Sequence, residues 1–200
     1  MRLAILDHGQ KRAARTFLGF TALVGRRPAD DVLKTMLYRP EVLGSTFIPM
    51  VIDVMRGPSP WTPGERELMA AVVSRRNACT FCAGIHSYVA TLQLGADVPP
   101  GGLDRWRDLD MAPGLRATIE LLERLTDTPE QVTAADVDVV RQAGVSDDAI
   151  ADAIHVAFVF NLINRLANAF EFTFQTDHTR KADAKVLNRM GYKLPGFLLR

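Results

Sequence analysis

Apolar residues along the chain recur every three or four positions, and proline and glycine separate the resulting segments. This spacing is typical of helices that each bury one face. No alternating pattern typical of a β-strand and no internal repeat is present. The sequence therefore predicts one all-α domain over residues 1–200. The predicted helices cover residues 12–23, 30 or 31 to 38, 40–55 (bent at Pro49), 63–76, 79–94, 113–126, 134–142, 149–170 and 178–190.

Two of these helices have informative ends. Thr62-Pro63-Gly64-Glu65 combines an N-capping threonine, a proline at the first helical position and a glutamate that completes a capping box. The helix from Cys79 is expected to end at Gly95.

Residues 149–170 are apolar almost all round, which predicts a central helix, and His155 within it is expected to be a hydrogen-bonded core residue. Residues 97–110 are predicted as a loop with a short helical piece.

Composition narrows the function classes. The chain has 24 basic and 23 acidic residues and a net charge of +1, so it has no basic field for nucleic acid. Its most apolar stretch is interrupted by Asp152, His155 and Asn161, which favours a buried helix over a membrane span. No secretory signal is evident at the N-terminus. We therefore expect a cytoplasmic protein that binds neither nucleic acid nor membrane.

The candidate chemistry lies in Cys79, Cys82 and His86. Steps of three and four residues place these side chains in one stripe of a helix. The pair Cys82 and His86 is close enough for the imidazole to take a thiol proton. Both cysteines lie in the first helical turn, where unpaired backbone N–H groups and the helix dipole favour thiolate. The spacing also permits a disulfide between them, so the site is predicted to be redox-active.

A carboxylate extends this constellation. Glu67, eleven intervening residues, Cys79-Thr80-Phe81-Cys82, three further residues and His86 form the pattern E-x11-C-x2-C-x3-H. The segment from about Pro63 to Gly95 resembles the alkyl hydroperoxidase D-like, or carboxymuconolactone decarboxylase-like, superfamily, and most closely its peroxidase-related branch. The resemblance implies an all-helical bundle with the CxxC at a helix N-terminus. It also implies a homo-oligomer (dimer, trimer or hexamer).

The resemblance further implies a thiol peroxidase without cofactor or metal. Cys82 would attack the hydroperoxide, and Cys79 would resolve the sulfenic acid to a disulfide. His86 would accept the Cys82 proton, and Glu67 would orient His86. The implied partners are a hydroperoxide or disulfide substrate and an external dithiol reductant. Phe81 stands where the best-known peroxidase of the family has a histidine, so the relay is predicted to lack one proton carrier and the site mouth to be more apolar.

Other uses of these residues stay open at this point. Cys79, Cys82, His86 and Glu67 are a conceivable zinc ligand set, although three ligands on one helix stripe make tetrahedral closure awkward. Covalent haem needs a histidine directly after the second cysteine, where Ala83 stands. A non-redox, decarboxylase-like enzyme or an oligomeric ligand-binding protein on the same fold is the alternative function.

Within the predicted domain, three parts have different expected roles. Residues 1–60 form N-terminal helices that pack on the core, residues 61–96 carry the redox motif, and residues 97–200 supply further helices and an apolar tail. Asn161, Asn164 and Arg165 share one helix face, which favours a structural polar network over the alternative that they line the pocket or an interface. The apolar C-terminus requires a cover, for which a neighbouring subunit is one candidate.

Overall fold

The computed structural model describes residues 1–98, 100–173 and 176–199, except for the side chains of residues 100 and 101. The described chain is helical and contains no strand, as predicted. Three short 3₁₀ segments connect or end the α-helices, at Pro100–Asp108, Pro129–Gln131 and Gly196–Leu199. The α-helices are α1 (Ile5–His8), α2 (Arg12–Gly25), α3 (Asp31–Tyr38), α4 (Gly44–Arg56), α5 (Pro63–Arg76), α6 (Thr80–Leu94), α7 (Pro113–Asp127), α8 (Ala134–Gln142), α9 (Asp147–Phe170) and α10 (Asp177–Met190).

Helices α5 and α6 form the most extensive helix pair of the structure. The predicted capping box begins α5: the Thr62 amide donates to the Glu65 carboxylate at 2.7 Å, and the Glu65 amide donates to the Thr62 hydroxyl at 3.3 Å. Gly95 ends α6 in the left-handed conformation. Gly64 allows the start of α5 to approach the end of α6, since a Cβ at this position would lie 2.8 Å from Leu94 Cδ2. The antiparallel pair is therefore closely packed at the end opposite the turn that connects the two helices.

The central helix is α5, whose residues from Leu68 to Ser74 are all almost completely inaccessible. The prediction that 149–170 would be central is only partly right, because α9 packs on α5 with one face. Its opposite face exposes Ile154, Phe158 and Leu162, three apolar residues one helical turn apart. His155 is also exposed, so the expectation of a core histidine was wrong. Uniform hydrophobicity did not distinguish the buried face of this helix from the exposed one.

The first helices and the tail pack on each other. Leu198 is buried in a small cluster with Ala14, Leu18 and Leu37, so the N-terminal helices cover part of the apolar C-terminus. Phe197 remains 65% exposed. Helix α4 begins at Gly44 rather than at Pro40, with a turn between them, and Pro49 lies inside it as predicted. The short helix α1 was not predicted.

By length and composition, α9 alone among the described helices meets the requirements of a membrane span. Half of its apolar window is buried inside the fold, which is what a core helix of a soluble protein shows. No membrane role follows from this helix.

Candidate redox site

The turn between α5 and α6 positions both cysteines. Ala78 has φ of 52°, a left-handed conformation that is uncommon for a residue with a side chain. This reversal allows the Cys79 amide to donate to the Ser74 carbonyl at 2.9 Å and places Cys79 at the N-cap of α6. Cys82 follows in the first turn of the helix. The local geometry thus places the CxxC at a helix N-terminus, where the sequence predicted it.

The two thiols are free and both are buried. The hydrogen bond from the Cys82 thiol, aided by the backbone amides of Cys82 and Phe81, holds the pKa of Cys79 below its ordinary value, although burial opposes this. The same thiol–thiol hydrogen bond, burial and the neighbouring Cys79 charge raise the pKa of Cys82 well above its ordinary value. The N-cap position of Cys79, beside the unpaired amides of the first helical turn, favours its thiolate in the same direction. The more acidic thiol is therefore Cys79.

Hydrogen bonds with asparagines of α9 hold the turn that carries Cys79 in place. The Asn164 amide is fully buried and donates to the Ser74 hydroxyl at 3.1 Å. The Asn77 side chain donates to the oxygens of Asn161 (3.0 Å) and Asn164 (3.1 Å), and Asn168 donates to the Asn77 carbonyl at 3.0 Å. Hydrogen bonding from Asn164 contributes to the lowered pKa of Cys79 and partly offsets the raised pKa of Cys82. The polar network expected on this helix face thus reaches the thiols themselves.

Glu67 lies at the centre of a second, adjacent cluster. Its carboxylate is completely buried and accepts from Arg56 Nη2 at 2.5 Å through Oε1. Its other oxygen, Oε2, lies 2.6 Å from His86 Nδ1. Burial alone would raise the pKa of Glu67, but the charges and hydrogen bonds of His86 and Arg56 outweigh it and hold the pKa below its ordinary value. Glu67 is therefore an ionised carboxylate, compensated by Arg56 and hydrogen-bonded to His86.

The ionised carboxylate determines the tautomer of His86. A carboxylate only accepts hydrogen bonds, so Nδ1 carries a proton, and in the neutral imidazole Nε2 is the nitrogen that can accept one. The imidazole is held between two aromatic rings, edge-to-face with Phe160 at 4.6 Å and nearly parallel to Tyr192 at 6.2 Å. His86 and Cys82 lie four residues apart on α6, on the same face of the helix. The imidazole is thus held in a defined orientation, on the face of α6 that also carries Cys82.

Tyr192 completes the cluster from the end of the chain. Its hydroxyl donates to Glu67 Oε1 at 2.9 Å and lies 3.4 Å from His86 Nδ1. The Arg56 guanidinium lies over the Tyr192 ring, 4.9 Å from its centroid. Removal of the hydroxyl from water, together with the Glu67 charge, raises the pKa of Tyr192 well above its ordinary value, so the phenol stays protonated.

A pocket of about 250 Å³ opens beside Cys79. Its lining includes Cys79 but not Cys82, and Arg75 and Arg180 lie at its edge. Arg180 covers Gly84, where a Cβ would lie 2.9 Å from the arginine Cδ. Phe81, expected to make the site mouth apolar, packs edge-to-face on Phe172 in the core at 5.4 Å. Of the two cysteines, the pocket is therefore adjacent to Cys79.

The metal-site hypothesis gains no geometric support. In the described part of the chain, no group of three or more histidine, cysteine, aspartate or glutamate side chains is arranged to hold a metal ion. His86 Nδ1 is hydrogen-bonded to Glu67, and the Glu67 carboxylate also accepts hydrogen bonds from Arg56 and Tyr192. The four motif residues form a thiol pair and an acid–base pair.

Comparison with known proteins places the fold. No protein-family model matches the chain, and no curated protein matches it. Several solved structures are similar to the chain, among them the following two. An uncharacterized peroxidase-related protein from Silicibacter sp. TM1040 is 25% identical, with a TM-score of 0.73 over 86% of this chain and 90% of that one. The chain has the fold of these peroxidase-related proteins. A second one, an alkylhydroperoxidase AhpD core protein from Ralstonia eutropha JMP134, is 21% identical, with a TM-score of 0.69 over 82% of this chain and 86% of that one.

These similarities confirm the peroxidase-related, AhpD-like resemblance that the motif indicated. The structure brings Glu67 into contact with His86, and Cys79 into contact with Cys82. Arg56 and Tyr192 were missed, because each lies outside the motif and carries no sequence signal of its own. For Asn164 a structural network was favoured over a place at the pocket, and its hydrogen bond to Ser74 lies in the turn that carries Cys79.

Proposed function

We propose that this protein is a dithiol oxidoreductase that reduces hydroperoxides through a Cys79–Cys82 disulfide. The observation that carries the proposal is the pairing of an acidic N-cap thiol, facing a pocket, with a second thiol that shares a helix face with a buried Glu67–His86 pair. Nucleophile, base and orienting carboxylate are the components that thiol catalysis requires. The AhpD-like fold supports the same class of enzyme.

The proposed cycle begins at Cys79. Its thiolate attacks the terminal oxygen of the hydroperoxide, the O–O bond breaks, and the alkoxide takes a proton and leaves as an alcohol. Cys82 then attacks the sulfur of the resulting sulfenic acid, which forms the disulfide and releases water. The Cys82 proton passes to His86, which Glu67 orients and stabilises when charged, and then from His86 to the departing hydroxide, which leaves as water. An external dithiol reduces the disulfide by exchange and is itself oxidised.

This order reverses the roles expected for the two cysteines from the resemblance. Cys82 has the higher pKa of the pair and is absent from the lining of the pocket, which favours it as the resolving thiol. Its high pKa is also the reason why it needs a base. His86 keeps its expected task, accepting the Cys82 proton, but performs it in the second step rather than the first.

Other features fit this function. A dithiol cycle requires a reducing compartment, so we propose a cytoplasmic location. The exposed apolar stripe of Ile154, Phe158 and Leu162 on α9 supports the expected homo-oligomer.

The test is steady-state consumption of cumene hydroperoxide with dithiothreitol as electron donor. Cys79→Ser and Cys82→Ser are expected to abolish turnover. Thr80→Ser, an exposed residue between them, is the matched control and is expected to retain it. Sulfenic acid trapping assigns the order, with the trapped oxygen on Cys79 in the Cys82→Ser protein. Turnover that survives both cysteine substitutions would contradict the proposal.

A further inference from the structure

Tyr192 reaches the redox site from a position 125 residues beyond Glu67. It is the second residue after α10, and its ring lies 4.9 Å from the Arg56 guanidinium and 6.2 Å from the His86 imidazole. Its hydroxyl donates to the same Glu67 oxygen that Arg56 contacts. Glu67 Oε1 is thus fixed by two donors, which leaves Oε2 for His86.

The backbone at Tyr192 is held in an unfavourable conformation. Gly191 ends α10 with φ of 61°, and Tyr192 follows with φ of 70°. Glycine adopts this region freely, whereas an aromatic residue does so at an energetic cost. Residues held in this way persist where the surrounding contacts over-determine them, and such residues cluster at functional sites. The contacts with Arg56, Glu67 and His86 are what determine this conformation.

We infer that Tyr192 is a positioning residue of the thiol chemistry: its hydroxyl holds Glu67, and Glu67 holds the His86 imidazole on the face of α6 that carries Cys82, in the orientation for proton transfer from that thiol. Without the hydroxyl, the carboxylate retains Arg56 but gains freedom to rotate about its last bond, and the His86 Nδ1 contact loosens. The imidazole then spends less time oriented for the transfer. The inference rests on the proposed function for its biological meaning, but it is testable without peroxide.

A chromogenic aromatic disulfide separates the steps. The Cys79 thiolate attacks it, forming a mixed disulfide and releasing one aromatic thiolate. Cys82 then attacks the Cys79 sulfur, forming the internal disulfide and releasing a second aromatic thiolate, while its proton passes to His86. The two releases appear as two phases of colour. Only the second phase requires the base.

The decisive variant is Tyr192→Phe, which keeps the ring against His86 and removes only the hydroxyl. We expect the second phase to slow about ten-fold or more, the loss typical of a hydrogen bond to a charged group, with the first phase unchanged. Tyr88→Phe is the matched control, since the Tyr88 hydroxyl also donates to a carboxylate, that of Asp177 on the exposed surface. It is expected to leave both phases unchanged.

A second readout is the NMR signal of the His86 Nδ1 proton, which is expected to shift or disappear in Tyr192→Phe and to persist in Tyr88→Phe. An unchanged second phase together with an unchanged proton signal in Tyr192→Phe would overturn the inference. Tyr192→Leu removes the ring as well as the hydroxyl. Equal slowing of the second phase in Tyr192→Phe and Tyr192→Leu assigns the effect to the hydroxyl, whereas slowing in Tyr192→Leu alone overturns the inference. If peroxide fails to oxidise the wild-type protein while the second phase still depends on Tyr192, the proposed peroxidase function falls and the positioning role stands.

Discussion

Glu67→Gln removes the only negative charge that contacts both Arg56 and His86 in the described structure. Glu67 is completely buried, and the side chain of Arg56 is only 17% exposed, so neither charge is well solvated. Removing one partner of a buried ion pair leaves the other uncompensated, which typically costs about 3–5 kcal/mol. Because domains are typically stable by about 5–15 kcal/mol, this is a large share of the total. We expect the variant to fold at low temperature and to unfold at markedly lower denaturant concentration.

The same contacts define a pH dependence. The pKa of Glu67 is lowered in the folded protein, so the folded state binds this proton less readily than the unfolded state. The stabilisation is therefore fully present above the ordinary glutamate pKa and is lost as pH falls through the lower, folded value. The free energy of unfolding is measured against pH for the wild type and for Glu67→Gln. The difference between the two curves gives the contribution of this carboxylate without that of the other acidic residues. The difference is expected to be constant at neutral pH and to shrink in acid.

Urea unfolding followed by far-UV circular dichroism measures both effects. Glu120→Gln is the matched control, because Glu120 is 49% exposed and pairs with Arg107 at 3.6 Å. Exposed pairs of this kind contribute about 0–1 kcal/mol. Equal losses in the two variants, or a difference profile that grows in acid, would refute the assignment of Glu67 as a buried, compensated carboxylate.

Two further substitutions test the packing and the thiol environment. Gly64→Ala is expected to destabilise the fold by about 1–3 kcal/mol in urea unfolding, because the new Cβ meets Leu94 and Gln93. The control is Gly19→Ala in α2, where a new Cβ meets nothing within 4 Å, and it is expected to be neutral or stabilising. A loss no larger than that of Gly19→Ala would show that α5 and α6 are not in close contact at Gly64. Asn164→Ala removes a hydrogen-bond partner of both thiols, so the pKa of each is expected to rise. Alkylation rates measured against pH report this, and an unchanged profile would exclude Asn164 from the site.

Local signals predicted most of the fold. Capping residues such as Thr62 and Ser146, and helix-ending glycines such as Gly95, act over a few residues and are visible in the sequence. Ser146 indeed accepts from the Ala149 amide at 3.3 Å, and Gly95 indeed adopts the left-handed conformation. Which apolar helix becomes central depends on tertiary packing, and for α9 the pattern alone suggested more burial than the structure has.

The site was predictable only where it is local. Cys79, Cys82 and His86 share one helix, and Glu67 lies on the preceding helix, at a spacing that marks the motif. Arg56 and Tyr192 arrive from α4 and from the segment after α10, so no short-range pattern connects them to the motif. The order of the two thiols likewise depends on burial, on amide contacts at the N-cap and on the side to which the pocket opens. These are properties of the folded chain.

The central claim is that Cys79 and Cys82 form a redox-active pair. The most direct measurement is oxidation of the reduced protein by one equivalent of organic hydroperoxide in a stopped-flow instrument, followed by a free-thiol count and peptide mapping by mass spectrometry. The account predicts rapid loss of two thiols per chain and a disulfide between Cys79 and Cys82. Both thiols intact after hours of exposure would contradict it and would direct attention to disulfide substrates or to a non-redox use of the fold.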